Sequence, residues 1–346
     1  LKIKKIITIV AVAGLFVASI VTAYVYNNAF TANTTFNQKE VFVYIPSNAT
    51  YAQVQKELEP FVKDMSKLDF VASKRAYDTN IKSGKFLIKQ NMTSFDMVRS
   101  LRKNIPIKVA FNNQESLNKL AQRLATQLEP DSLQIVKAFT DPVFLKKNKF
   151  TQEDILAMFI PNSYEFYWNI SAHKLADKMA KEHSKFWNHE RLAKAAAKNL
   201  SSIEVSILAS IVHKETVKSD ERARVAGVYL NRLATGMPLQ ADPTVIFAIK
   251  KQSGNFDQVI KRVFHNDLII NSPYNTYLNA GLPPGPIAMA DISAIDGVLN
   301  AEKHDYIYFC ASVERFGYHD FSSNYTQHLA NARKYSKWVS SIGINR

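Results

Sequence analysis

A run of 21 uncharged residues, Ile6–Tyr26 (IITIVAVAGLFVASIVTAYVY), constrains this chain more than any other feature. As a helix it extends about 30 Å at 1.5 Å per residue, the hydrocarbon thickness of a bilayer. Lys2, Lys4 and Lys5 precede it, so residues 1–5 read as a cytoplasmic tail, and Tyr24 and Tyr26 suit the far interface. The expectation is a single-pass anchor at 6–26 in the cell inner (plasma) membrane, with everything after it extracytoplasmic or periplasmic. A signal peptide cleaved near Val21-Thr22-Ala23 is the rival reading. Its apolar region would exceed the usual length of about 7–15 residues. No cysteine lies near the segment, which excludes a lipoprotein anchor.

The chain carries 44 Lys+Arg against 30 Asp+Glu, a net charge of +14 that favours anionic neighbours. No zinc-finger spacing or glycine-rich phosphate loop accompanies it, so nucleic acid is not an expected partner. A solvated basic surface close to anionic lipid or polymer explains the charge better. The single cysteine, Cys310, excludes an intramolecular disulfide and a Cys-rich metal site, and it is expected as a small core residue of a buried strand over 305–311.

Residues 27–39, rich in Asn and Thr, read as a linker. Two matching units follow. Val41–Ile45 and Phe86–Ile88 are strand-like runs, and each leads into the pattern I-x-x-N-x-T-x-x-x-(V/M)-x-x-x-L, offset by 43 residues. Thr50 and Thr93 can cap helices, and Val54/Leu58 and Met97/Leu101 supply i,i+4 apolar pairs for a buried face. Residues 40–106 therefore read as a small α+β module, either a spacer or a carbohydrate-binding unit. Residues 107–200 read as mostly helical, broken by the aromatic run at 159–168, with one Lys/Ala-rich helix over about 173–199.

Ser201-x-x-Glu204 is a capping box that opens a helix to about Thr216. Leu208, Ile211, Val212 and Glu215 fall at i, i+3, i+4 and i+7, which places Glu215 on an apolar stripe. Burial there favours the neutral carboxyl and raises its pKa, as a general acid working near neutral pH requires. A solvent-facing Glu paired with Arg222 or Arg224 is the bland alternative. Ser219-Asp220 reads as the cap of a second helix ending at Gly236, and Asp242 as the cap of a third that starts at Pro243. As a second catalytic carboxylate, Asp242 would instead serve a hydrolase as nucleophile or base. Tyr274-Asn275-Thr276-Tyr277 and Gly281-Leu282-Pro283-Pro284-Gly285-Pro286-Ile287 form a shaped loop whose Tyr and Asn side chains could bond sugar hydroxyls. No His pair has zinc-helix spacing, and no G-x-S-x-G elbow occurs; no metal or cofactor is expected.

Taken in order, these blocks resemble the endolytic murein transglycosylases, the MltG or YceG-like family. Ile207–Thr216 (ILASIVHKET) is similar to that family's L-A-S-I-V-x-x-E-T, and Val225–Leu233 to its V-A-x-V-(F/Y)-x-N-R-L. Gly236–Val245 matches G-M-x-L-Q-x-D-P-T-V, and the two loop blocks match Y-N-T-Y and G-L-P-P-G-P-I. One departure is Ile160-Pro161-Asn162-Ser163-Tyr164, where the family has an F-P-D-T-Y core, so an acidic role at position 162 is lost.

The resemblance implies an α+β chain with one transmembrane helix, a LysM-like module at 40–106 and a helix-rich catalytic domain at 107–346. It implies a lyase in which Glu215 is the catalytic residue. Glycan strands of peptidoglycan are the substrate, the plasma membrane and peptidoglycan synthases are the expected partners, and endolytic cutting that ends nascent strands is the expected role. Gln240, Asp242, Tyr274, Asn275, Thr276, Tyr277 and His319 are the candidates for holding the sugar. In the expected chemistry Glu215 protonates the leaving oxygen of the MurNAc–GlcNAc bond. The MurNAc 6-hydroxyl then attacks C1 and yields a 1,6-anhydro end without an activated water. The alternatives are a muramidase-type hydrolase with Asp242 or Glu221 as second carboxylate, and a non-catalytic peptidoglycan-binding scaffold.

Overall fold

The computed structural model describes residues 2–341; Leu1 and residues 342–346, which the sequence reading assigned to the tail and the catalytic domain, lie outside the described part. The chain is α+β and divides into two compact units. The first runs up to Val109 and takes in Gln127–Glu129 and Tyr164–Ile170. The second comprises Ala110–Thr126, Pro130–Ser163 and the described residues from Ser171 onward. The division thus falls three residues beyond the expected 106, and two short segments expected in the second unit belong to the first. Their side chains explain why. Glu129 accepts from the Ser47 backbone N–H at 2.5 Å and from its hydroxyl at 2.6 Å. Trp168 packs edge-on against Tyr44 at 5.2 Å, and Asn169 bonds Asn104 and Ser83.

In the first unit, α1 (Lys2–Ala29) contains a stretch, Ile3–Ala29, long and apolar enough to cross a membrane, whose most apolar 18 residues are not buried by protein. The helix is longer than the expected 6–26, and its last turns are not free. Tyr24 packs edge-on against Phe70 at 5.5 Å, Lys67 bonds Asn27 and Thr31, and Ala29 is part of the module's core. Residues 27–39 are consequently no loose linker. Asn33 is 1% exposed, bonding the Asp64 backbone and Ser94, while Ala32 and Thr34 form bridges to Thr93 and Val62. A buried Asn with satisfied bonds ties this stretch down.

The repeat builds β1 (Glu40–Ile45), α2 (Tyr51–Leu58), α3 (Met65–Lys74), β2 (Gly84–Lys89) and α4 (Ser94–Ser100). β1 and β2 pair antiparallel, Val43 opposite Phe86 and Ile45 opposite Gly84. Asn48 and Asn91 both take left-handed backbone, with φ of 61° and 60°, and Thr50 and Thr93 both accept from the third helical N–H. Val54, Leu58, Met97 and Leu101 are each at most 1% exposed, so both apolar pairs face one core. β3 (Pro106–Phe111) closes this part of the chain.

The second unit continues through α5 (Leu117–Ala125), α6 (Ser132–Phe139) and α7 (Pro142–Asn148), while β4 (Asn162–Tyr167), the strand that occupies the aromatic run, belongs to the first unit from Tyr164 onward. The expected long helix over 173–199 is two, α8 (Ala172–Phe186) and α9 (His189–Ala196). Asn188 breaks it by capping α9, accepting from the Arg191 N–H, and buried Trp187 fills the corner. The core is organised on α10 (Ser202–Glu215), which opens with the expected capping box. Its residues from Val205 to Val212 are all buried, so the helix is enclosed on every side rather than on one stripe. α11 (Arg222–Ala234), α12 (Asp242–Ser253) and α13 (Ile292–Leu299) pack on it, and α14 (Tyr325–Ser341) packs on the antiparallel hairpin of β5 (Tyr308–Ala311) and β6 (His319–Ser322). Two expectations change here. No side chain caps α11, whose cap position is Glu221 rather than Ser219-Asp220. Cys310 is only partly buried, on a two-stranded hairpin rather than in a core strand.

Candidate active site

Glu215 is the last residue of α10, where the backbone turns extended at Thr216. The residue as a whole keeps some exposure, but its carboxyl is surrounded by protein atoms, and burial pushes its pKa up to about 7. The nearby charge of Asp242 acts in the same direction. A hydrogen bond from Tyr229 and the charges of His319 and Arg232 oppose it. Tyr229 is 1% exposed on α11, and its hydroxyl donates to Glu215 Oε1 at 2.7 Å. When the carboxyl is neutral, its proton therefore sits on Oε2, the oxygen that Tyr229 leaves free.

The neighbours arrive from the ends of other elements. Asp242 is the first residue of α12, not its cap; Ala241 holds that position without a side-chain bond. Released from capping, Asp242 Oδ1 accepts from the Tyr277 hydroxyl at 2.6 Å. Burial, reinforced by Asp242, holds the Tyr277 phenol well above its usual pKa, so it stays a donor. His319 opens β6. Glu221, 4% exposed, accepts from the His319 backbone N–H and from its Nδ1, both at 2.8 Å. Burial alone would raise the Glu221 pKa, but the bonds from His319 and Thr216 outweigh it and hold the carboxyl ionised. An ionised carboxylate only accepts, so Nδ1 carries a proton and the imidazole is fixed in orientation. Both Glu221 oxygens are committed in this way, which removes Glu221 as the second carboxylate of a hydrolase.

The structure therefore brings Glu215, Asp242, Tyr277 and His319 together and gives other work to the remaining candidates. Gln240 is exposed at φ 47°, its N–H bonded to the Thr276 carbonyl at 3.0 Å. A left-handed non-glycine residue stores strain and here marks the turn into α12. Tyr274 is 2% exposed, its ring tilted against that of Phe247 at 4.7 Å, and is a core residue. Asn275, fully buried, donates to the Leu268 and Ile270 carbonyls and accepts from the Tyr277 N–H. Thr276 accepts from the Ala241 N–H and meets the Thr244 hydroxyl at 2.9 Å. Asn275 and Thr276 are thus braces that aim Tyr277, with no polar group left for a sugar. Tyr229 and Arg232 are site residues the sequence did not single out: the spacing of Tyr229 marks an apolar helix face, and Arg232 stood only inside a motif block. The N-R pair within the second block was the available signal. Asn231 bonds the His304 and Tyr306 carbonyls, while Arg232 bonds those of Ile307 and Leu239.

The loop over 281–287 owes its glycines to close approach as well as to turning. A Cβ on Gly285 would run into the Glu153 carbonyl. Ser210, buried in the middle of α10, accepts from the Ile287 N–H at 3.1 Å and so pins this loop to the helix that carries Glu215.

A model of the YceG-like family matches residues 43–334. The chain belongs to the YceG-like family. The endolytic murein transglycosylase of Bacillus subtilis is 32% identical over 211 residues, 56% of this chain and 56% of that protein. That of Streptococcus pneumoniae is 26% identical over 330 residues, 86% of this chain and 59% of that protein. The chain thus spans under two thirds of the length of these relatives. The crystal structure of a yceG-like protein from Listeria monocytogenes superposes with a TM-score of 0.55 at 26% identity, covering 85% of this chain and 99% of that one. In this YceG-like chain the matched region takes in every element around Glu215.

Proposed function

We propose that this YceG-like chain is a membrane-anchored lytic transglycosylase that cuts peptidoglycan glycan strands endolytically, with Glu215 as its acid and base. The observation that carries the reading is the Glu215 carboxyl held at about 7 by burial, with Tyr229 on one oxygen. At neutral pH such a group is part protonated and part ionised, as a residue that first donates and then accepts a proton must be. Proton donation from Oε2 to the leaving oxygen starts the reaction. As the sugar turns cationic, the new carboxylate is steadied by Tyr229 and by the charges of Arg232 and His319. The MurNAc 6-hydroxyl, tethered to the reacting carbon, closes on C1 and passes its proton to Glu215, so the product ends in 1,6-anhydro-MurNAc. The names of the relatives support murein as the substrate.

The β-α-α-β order of the first unit supports a LysM-like module, and the span at Ile3–Ala29 supports an anchor that leaves the catalytic unit extracytoplasmic. Ending nascent strands beside peptidoglycan synthases is the role that such placement suits. A hydrolase is the second reading, because Asp242 lies near enough to act on the ionisation of Glu215. Digestion of purified glycan strands decides between them. Glu215→Gln should fold and leave strands uncut. Wild-type products should carry anhydro ends, about 18 Da lighter than the hydrolytic ends a water-activating carboxylate would give. Asp242→Asn should keep that product. Hydrated ends throughout would establish the hydrolase instead.

A further inference from the structure

Lys214 and Pro243, the chain neighbours of Glu215 and Asp242, line a cavity of about 200 Å³ that the chemistry above does not use. Its apolar wall is Pro243, Ile246, Phe247, Ile260 and Ile287. Its polar wall is Glu115 with two lysines: Lys214 reaches Glu115 Oε1 at 2.5 Å and Lys250 reaches Oε2 at 2.6 Å. Two cations share one carboxylate, so the cluster carries a net positive charge. Lys250 is only 9% exposed. An ammonium buried in apolar surroundings is costly unless fully paired. Each lysine ties its own helix, α10 or α12, to the segment before α5, and one carboxylate balances only one of their two charges. The remaining positive charge lines the cavity and welcomes an anion beside apolar surface.

The cavity is continuous in sequence with the active site, because Lys214 precedes Glu215 and Pro243 follows Asp242. At about 200 Å³ it falls below the about 300 Å³ of ordinary small-molecule sites. That excludes a disaccharide and fits a short fragment with a methyl group and a carboxylate.

We propose that this cavity is a binding site for the carboxylate-bearing peptide that hangs from the lactyl group of N-acetylmuramic acid, its alanyl methyl on the apolar wall and a carboxylate against Lys214 and Lys250. The proposal rests on the reading of peptidoglycan as substrate. It makes the enzyme sense whether a strand still carries its peptides.

The test uses the full chain in detergent as Glu215→Gln, titrated with N-acetylmuramoyl-L-alanyl-D-glutamate and followed by calorimetry. Binding is expected, weakened at least about tenfold when the peptide carboxylates are methyl esters. Lys250→Met or Lys214→Met should cause a similar loss, while inorganic phosphate at equal concentration should not displace the peptide. On glycan, Lys250→Met in the otherwise wild-type chain should lower kcat/KM about tenfold on peptide-bearing strands and leave peptide-free strands cut as before. Equal affinity for acid and ester, displacement by phosphate, or no binding at millimolar peptide would overturn the site. The acid–ester comparison needs no lysine variant, so it decides even if those variants fail to fold. Because binding is read without turnover, a chain that binds peptide but cuts no glycan would overturn the transglycosylase reading and leave this site standing.

Discussion

Tyr229→Phe removes the one hydrogen bond that the Glu215 carboxyl makes among the described residues. The ring remains, 1% exposed and packed edge-on against Phe309 at 5.8 Å, so the fold should be kept. Only the hydroxyl that donates to Oε1 is lost. A hydrogen bond to a charged group is worth about 1.5–3 kcal/mol. At 1.36 kcal/mol per pKa unit that is a shift of about one to two units. The bond favours the ionised form, so its loss raises the pKa, from about 7 toward roughly 8–9. If Glu215 must be protonated to start the reaction, the alkaline limb of kcat/KM follows that pKa. The limb should move up by one to two units in Tyr229→Phe, and a carboxyl resonance observed by NMR should titrate with it. A limb that stays in place, or moves down, would refute the assignment of Glu215 as the acid whose ionisation Tyr229 controls.

Stability gives an independent view of the same group. The folded pKa of Glu215, about 7, lies above the ordinary 4.5, so the neutral form's advantage is fully present below about 4.5 and lost as pH rises through about 7. Glu215→Gln removes that loss and should be more stable than wild type by up to about 3 kcal/mol at pH 8.5, with little change at pH 4, by urea unfolding. Asp291→Asn should destabilise the fold by about 3 kcal/mol at pH 7, because Arg222, its 2.6 Å partner with a side chain 6% exposed, is left buried and unpaired. Thermal melts check this, and the strand-cleavage pH profile should be unmoved. Gly285→Ala should cost about 1–3 kcal/mol, since its Cβ meets the Glu153 carbonyl and the loop must shift.

Local signals carried through to structure where nothing distant competed with them. Thr50, Thr93 and Ser201 cap helices as the sequence indicates, because a cap is settled within four residues. Glu215 was legible for a similar reason: helical spacing alone sets it next to Ile211 and Val212. Tyr229 was not, since its bond to Glu215 depends on how α10 and α11 pack, and spacing on α11 marks it only as apolar. Trp187-Asn188 interrupts a run of strong helix formers, and propensity over the Lys/Ala-rich stretch hides a break that tertiary packing of Trp187 imposes. Asn33 looked like linker because its composition is polar, although its amide is consumed by bonds to Asp64 and Ser94.

The same distinction governs the polar residues of the motif blocks. Loops forced into a protein interior bring backbone groups that no water can reach, and side chains must satisfy them. Asn231, Arg232, Thr276 and Ser210 do that work for backbone of another segment, and Asn275 does it for its own loop. A sequence pattern cannot separate them from residues that face substrate, because both kinds are polar, clustered and loop-borne. The separation comes from counting bonds. Asn275 spends its amide entirely on its own loop, while Glu215 leaves Oε2 free and Asp242 accepts a bond at one carboxylate oxygen, Oδ1. On that count Asn275→Ala should disturb activity through the position of Tyr277, raising KM and lowering stability together. Tyr277→Phe should leave stability nearly unchanged and act on turnover alone. If Tyr277→Phe instead melts the fold as Asn275→Ala does, Tyr277 is a brace as well, and the site shrinks to Glu215 with Tyr229 and the charges of Asp242, Arg232 and His319.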